Sequence, residues 1–254
     1  EISKQSKCIA VAGTHGKTTT TAIISHLFHS SGIHFKAFIG GIMKCFDSNY
    51  INTGNDYIIV EADEYDRSFL NLDPNYAVIT SIENDHLDVY GDFKSLTKSF
   101  QSFANNVKDV LITEAKIDID KDFSFSIKSD SDYYVNNIKI LDNGIRFDLK
   151  TPNNLYSNIY ANIIGLHNLK NTLAALSIID QIKEIDIQNL LPFLSDFKGI
   201  ERRMDIYKID NKVVIDDYAH HPTEIESVFN TIQTNYKNKS TAVVFQPHLF
   251  SRTR

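Results

Sequence analysis

Gly13, Gly16, Lys17 and Thr18, inside the run VAGTHGKTTT at 11–20, have the types and spacing to hold a phosphate chain. An apolar, strand-like run from Cys8 to Ala12 leads in, and a helix-prone run from Thr19 to Ser31 leads out. Strand, glycine turn and helix start together suit a nucleoside triphosphate. Glycine lets the backbone come close to phosphates, and the helix start supplies unpaired N–H donors and the positive end of a dipole. Lys17 adds a point charge on what reads as a solvated loop, and the Thr18 hydroxyl is a ligand for Mg²⁺. The general spacing G-x-x-x-x-G-K-[ST] asks for glycine where this chain has Val11. The strand-to-helix context therefore carries the reading, against the plainer alternative of a glycine turn without a ligand.

Further chemistry-bearing residues fall at the ends of apolar runs. Tyr57–Val60 ends in Glu61, Ala62, Asp63 and Glu64, and Tyr76–Ser81 runs into Glu83, Asn84, Asp85 and His86. In an open α/β sheet, ligands bind at the carboxyl ends of strands, so Glu61 is a candidate Mg²⁺ ligand and His86 a candidate for a second divalent ion. Asn168 and Asn171 stand three apart in a helix and share a face. Their amides suit an adenine edge, although Asn168 also reads as an N-cap. Arg202 and Arg203, the run Asp216–Pro222 with Asp217, Tyr218, His220 and His221, and Gln246–Arg252 with His248 bring basic and polar groups to a cleft. His26, His29 and His34 read as packed or exposed, and Cys8 and Cys45 as small buried side chains.

These residues need a scaffold of alternating β and α elements, hence a mostly parallel sheet covered on both faces. Strands are expected at Lys36–Ile39, Tyr57–Ala62, Tyr76–Ser81 and Val110–Thr113, with a helix over Phe93–Val107. The stretch Asp118–Ile163 reads as a small antiparallel appendage with a hairpin turn at Asp142–Gly144. A helix over Asn168–Lys183 and a shorter one over Ile185–Leu194, interrupted at Pro192, follow. Beyond a boundary near 195–199, a hairpin over Met204–Asp216, a helix over Pro222–Tyr236 and a strand over Thr241–Gln246 read as the start of a second, Rossmann-like α/β domain. The expected division is 1–197 and 198–254. A net charge of −6 gives no general attraction to nucleic acid or to an anionic membrane. Two cysteines without metal-type spacing fit a reducing, cytoplasmic setting, and no apolar run reaches the roughly 18 residues of a membrane span. The absence of a start methionine and the abrupt end at Arg254 suggest a fragment.

The blocks GTHGKTTT (13–20), EADE (61–64), NDHLD (84–88), GLHNLKN (165–171), ERRMD (201–205), DDYAHHPTEI (216–225) and FQPHLFSRTR (245–254) occur in this order along the chain. In them the chain resembles the Mur ligases, ATP-dependent amide-forming enzymes of peptidoglycan synthesis. The resemblance implies that the lactyl carboxylate of UDP-N-acetylmuramate attacks ATP to form an acyl phosphate, which the amine of L-alanine then opens. It also implies that the sugar nucleotide binds in a domain preceding residue 1. By position, Gly13, Thr14, His15, Gly16, Lys17, Thr18 and Thr19 would hold phosphates, and Thr18, Glu61 and His86 the metal. Asn168 and Asn171 would hold adenine, Arg203 the phosphate side and Asp217 the ribose, while Tyr218, His220, His248 and Arg252 would face substrate carboxylates. Lys17, Glu61, His86 and Arg203 would make up the catalytic set. Leu249 replaces an arginine common in the family. The alternatives are a murein tripeptide recycling ligase, a folylpolyglutamate-type ligase and a non-catalytic nucleotide-binding fragment.

Overall fold

The computed structural model describes residues 6–85, 87–128, 130–237 and 239–247, without the side chains of Leu87 and Asp88. In chain order its elements are β1 (Lys7–Ala12), α1 (Lys17–Ser30), β2 (Phe35–Met43), β3 (Ser48–Asn52), β4 (Tyr57–Glu61), β5 (Tyr76–Ile79), α2 (Leu87–Tyr90) and α3 (Phe93–Asn105). There follow β6 (Val110–Glu114), β7 (Phe123–Ser126), β8 (Tyr133–Leu141), β9 (Gly144–Lys150), β10 (Leu155–Ala161), α4 (Leu166–Asp180), β11 (Asp205–Ile209), β12 (Lys212–Asp216) and α5 (Pro222–Asn235). The first ten strands form one sheet in the order β10-β9-β8-β7-β6-β5-β1-β4-β2-β3. From β8 through β2 all pairs are parallel, while β3 at one edge and β9 and β10 at the other are antiparallel.

The central strand shows why this sheet is covered on both faces. Alternate residues point to opposite sides. Ile9 and Val11 join the core under α1 and α4, and Ala10 and Ala12 join the core under α3. On the α3 side the small alanines leave room for Phe69, Phe100 and Phe103, with Phe69 and Phe103 stacked at 5.1 Å. Asp92 starts α3 by accepting a hydrogen bond from the Ser95 N–H.

The α/β architecture agrees with the sequence reading, and the appendage is the run β8–β10, turning at Asp142–Asn143 and continuous with the main sheet. The edge strand β3 and the parallel strand β7 were not expected. In place of a short helix over Ile185–Leu194 there are two 3₁₀ turns, Ile187–Asn189 and Leu191–Asp196, the second with Pro192 in its first turn. Proline lacks an N–H and crowds the preceding turn, so an α-helix does not run through it. The expected strand over Thr241–Gln246 is absent. No described residue pairs with it, and Val244 is fully exposed; a strand persists only where its backbone groups find partners. Cys8 is buried as expected, whereas Cys45 is exposed. His26 is buried with Nε2 against the Phe193 carbonyl, and His34 is exposed.

Candidate active site

β1 lies between β4 and β5, so the strand order reverses around it and its carboxyl end opens a crevice. The turn leaving β1 is fastened to the end of β5. The Thr14 N–H donates to the Ser81 carbonyl at 3.0 Å and the His15 N–H to the Ser81 hydroxyl at 2.9 Å. Thr80 Oγ1 donates to the carbonyls of Ala12 and His15, and Thr14 Oγ1 accepts from the Glu83 N–H. Two positions in this turn require glycine. Gly13 has φ +126° and a Cβ there would lie 2.2 Å from Thr80 Oγ1; Gly16 has φ +84° and its Cβ would lie 2.3 Å from Asn171 Oδ1. Gly16 also precedes α1, and among the described residues no side chain caps that helix, so the first turn keeps its donors for an anion.

Lys17 is held otherwise than expected. Its Nζ donates to the Gly13 carbonyl and to Glu64 Oε2, each at 2.7 Å, with the lysine side chain 12% and the glutamate 1% exposed. The loop lysine is therefore a buried ion-pair partner, not a solvated charge, because the segment leaving β4 brings Glu64 to it. Thr18 Oγ1 donates to Glu61 Oε1 at 2.8 Å, and Glu61 Oε2 accepts from the Gly40 N–H at 2.6 Å. A Cβ on Gly40 would sit 2.7 Å from both carboxylate oxygens. This hydroxyl and carboxylate form the hard oxygen donor set that suits Mg²⁺. His86 lies outside the described residues.

A cleft of about 160 Å³ opens beside the loop. Among the expected residues His15, Gly16, Thr19, Asn168, Asn171, Arg203 and Asp217 line it, whereas Gly13, Thr14, Lys17 and Thr18 do not. Asn168 is not the N-cap of α4; Gly165 is, and the Asn168 Nδ2 group donates back to the Ile164 carbonyl. The Asn171 Nδ2 group points to Asn168 Oδ1 at 3.4 Å. The two amides thus hold each other, and Asn171 rests against Gly16.

Residues after 200 close the far wall. Asp217 accepts backbone N–H groups from Met204 at 2.7 Å and Ala219 at 2.8 Å, and burial pushes its carboxyl above the usual range. Each oxygen keeps a second lone pair for a ligand. Glu224, which the sequence reading did not single out, lies at the centre of this wall. Its Oε1 meets His15 Nδ1 at 3.2 Å and Arg203 Nη1 at 4.0 Å, and its Oε2 accepts the N–H groups of His220 and His221. Burial pushes its carboxyl up, but the His15 contact, the His220 N–H and Arg203 outweigh that and carry it well below the usual range. The only sequence signal for Glu224 was its place three residues after His221, the glutamate position of a capping box, which α5 does form. Glu83 and His167 also line the cleft without having been assigned a role. Burial lowers the His167 imidazole to about 4, with Arg203 adding to the effect.

Tyr218 and His220 do not line the cleft. The Tyr218 ring lies under the guanidinium groups of Arg202 and Arg203, at 5.2 and 5.4 Å, and meets the His220 ring edge-on. His248 and Arg252 lie outside the described residues.

A sequence profile of the Mur ligase middle domain matches residues 11–179. The chain belongs to the Mur ligase family. A second profile, the Mur ligase glutamate ligase domain, matches residues 202–254. The chain is 47% identical to the UDP-N-acetylmuramate–L-alanine ligase of Christiangramia forsetii over 100% of its own length and 56% of that relative. Its fold is similar to the UDP-N-acetylmuramate–alanine ligase of Thermotoga maritima, with TM-score 0.86 and 29% identity over 96% of this chain and 58% of that one. A murein peptide ligase from Psychrobacter arcticus is similar at TM-score 0.71 and 25% identity, covering 93% of this chain and 56% of that one. The chain thus spans a little over half the length of these Mur ligases.

Proposed function

We propose that this chain is the ATP-handling portion, residues 1–197, and the start of the following domain, residues 198–254, of a ligase that joins L-alanine to UDP-N-acetylmuramate in cytoplasmic peptidoglycan synthesis. The observation that carries the reading is the uncapped start of α1 beside the Thr18–Glu61 pair, facing a cleft that residues after 200 close. The choice of substrate follows the higher similarity to the L-alanine ligases than to the murein peptide ligase. Among the described residues no helix is long and apolar enough to cross a membrane.

In this reading the turn Gly13–Thr19 cradles the phosphates with its backbone donors, and Arg203 supports them from the far wall. Asn168 and Asn171 meet adenine, and Asp217 takes the ribose hydroxyls through its remaining lone pairs. Thr18 and Glu61, with His86, would hold Mg²⁺, which when bound neutralises phosphate charge. The substrate carboxylate displaces ADP from the γ-phosphate, giving an acyl phosphate. The amine of L-alanine then adds to that carbonyl and expels phosphate, losing a proton as the amide forms. Tyr218, His220, His248 and Arg252 orient the carboxylates. The protein's contribution is placement and charge stabilisation.

The test is ADP release and product formation by the intact protein with ATP, UDP-N-acetylmuramate and either L-alanine or murein tripeptide. Product with L-alanine alone is expected. Product with tripeptide alone, or no ADP release with either, would overturn the assignment.

A further inference from the structure

Three side chains from three separate segments converge where the phosphate loop meets the start of α5. His15 comes from the turn after β1, Glu83 from the loop after β5 and His221 from the residue before α5. One ligand atom of each lies within 4.8 Å of the others. We infer that His15, Glu83 and His221 form a site for a divalent transition cation of the zinc class, distinct from the oxygen pair at Thr18 and Glu61.

The hydrogen-bonding pattern around His15 supports this. Its Nδ1 faces Glu224 Oε1 at 3.2 Å, and a carboxylate there accepts a hydrogen bond from the ring N–H. In the neutral ring that bond puts the proton on Nδ1 and leaves the lone pair on Nε2, the arrangement in which a second carboxylate orients a metal-binding imidazole. Nε2 is buried and, among the described residues, has no hydrogen-bond partner, while a Glu83 carboxylate oxygen stands 3.5 Å away. In that tautomer two acceptors face each other, a conflict that a cation between them removes, whether a metal ion or a proton on Nε2. The His221 ring is beside His15, with centroids 4.8 Å apart, and its Nδ1 accepts the Thr223 N–H at 3.4 Å, a cap bond that ligation of an ion by this ring would break. Thr223 Oγ1 donates to Glu83 Oε2 at 2.8 Å and so holds the carboxylate in place.

Donor chemistry selects the ion. Two imidazoles and one carboxylate favour zinc, cobalt or nickel over Mg²⁺, which prefers oxygen ligands alone. Ligands around tetrahedral zinc stand about 3.3 Å apart, so groups now within 4.8 Å of one another would draw together by up to about 1.5 Å. His15 and Glu83 line the cleft, so the fourth position opens on it and would take water or a phosphate oxygen. A bound ion would fasten α5 to the phosphate loop.

The experiment is zinc titration of the intact protein against a chromophoric chelator, with Co²⁺ as a spectroscopic substitute. Cys45→Ser removes the exposed thiol as a competing ligand, and Glu61→Gln removes the oxygen site. One zinc ion is expected to bind to the unsubstituted protein and to both of these variants. His15→Ala and His221→Ala should each weaken it by more than tenfold, and Glu224→Gln, which acts only through His15, by about tenfold. Should a histidine variant fail to fold, the Co²⁺ spectrum of the unsubstituted protein decides, since nitrogen and oxygen ligands without sulfur are expected. Three results would overturn the inference: no zinc uptake, with His15 protonated on both nitrogens by ¹⁵N NMR; uptake unaffected by His15→Ala and His221→Ala; or uptake lost only in Cys45→Ser or Glu61→Gln.

Discussion

Lys17 carries two tasks that substitution can separate. Its ammonium neutralises Glu64, which is fully buried, and it stands in the phosphate loop. Removing one member of a buried pair leaves an uncompensated charge and costs about 3–5 kcal/mol. Lys17→Ala is therefore expected to lower the melting temperature as well as turnover. Adding Glu64→Gln should recover most of the stability and none of the activity, because the amide needs no counter-charge whereas the phosphates still lack theirs. Thermal denaturation and ADP release measured on both variants check this. An unchanged melting temperature for Lys17→Ala would show that the ion pair contributes nothing.

At the scale of elements, the phosphate loop owes its shape to β5 and α4 as much as to its own glycines. Gly13→Ala would drive a methyl group into Thr80 at a φ that L-residues avoid, and strain of this type costs roughly 1–3 kcal/mol. Loss of stability together with loss of nucleotide affinity, read by calorimetric titration, is the expected outcome. Asn171→Leu removes the amide that rests on Gly16 and reaches Asn168. It is expected to raise the KM for ATP and to lower stability modestly; a change in stability alone would limit Asn171 to packing. Pro222 in the first turn and the capping box make the start of α5 rigid, and that rigidity delivers Glu224 to His15.

Across the whole molecule, the far wall is joined to the sheet by polar groups whose charge depends on pH. His167 titrates near 4 when folded against an ordinary 6.5, so the unfolded chain binds the proton more readily. Stability from this group is fully present above pH 6.5 and is lost as pH falls toward 4, by at most about 3 kcal/mol. His167→Gln should flatten that part of the profile, so denaturation midpoints of the two proteins should converge between pH 6.5 and 4. Glu224 is depressed, so its contribution is present above about 4.5 and is lost only in stronger acid. A parallel offset between the two proteins at every pH would mean that His167 acts through packing alone.

Local chemistry was legible in the sequence. The glycine turn, the acids at the end of β4, the α/β alternation and the hairpin at Asp210–Asn211 follow from backbone freedom, strand periodicity and turn preference, which act over a few neighbouring residues. Ordered motif blocks along the chain were enough to place it among the Mur ligases. What the tertiary structure alone decided was which distant groups meet. Glu64 under Lys17, Asn171 against Gly16, and Glu83 and Glu224 around His15 bring together residues 47, 155, 68 and 209 positions apart. No spacing rule reaches across such separations, because sheet order and helix packing set them. The missing strand at Thr241–Gln246 marks the same boundary from the other side: β propensity proposes a strand, and a pairing partner is what makes one.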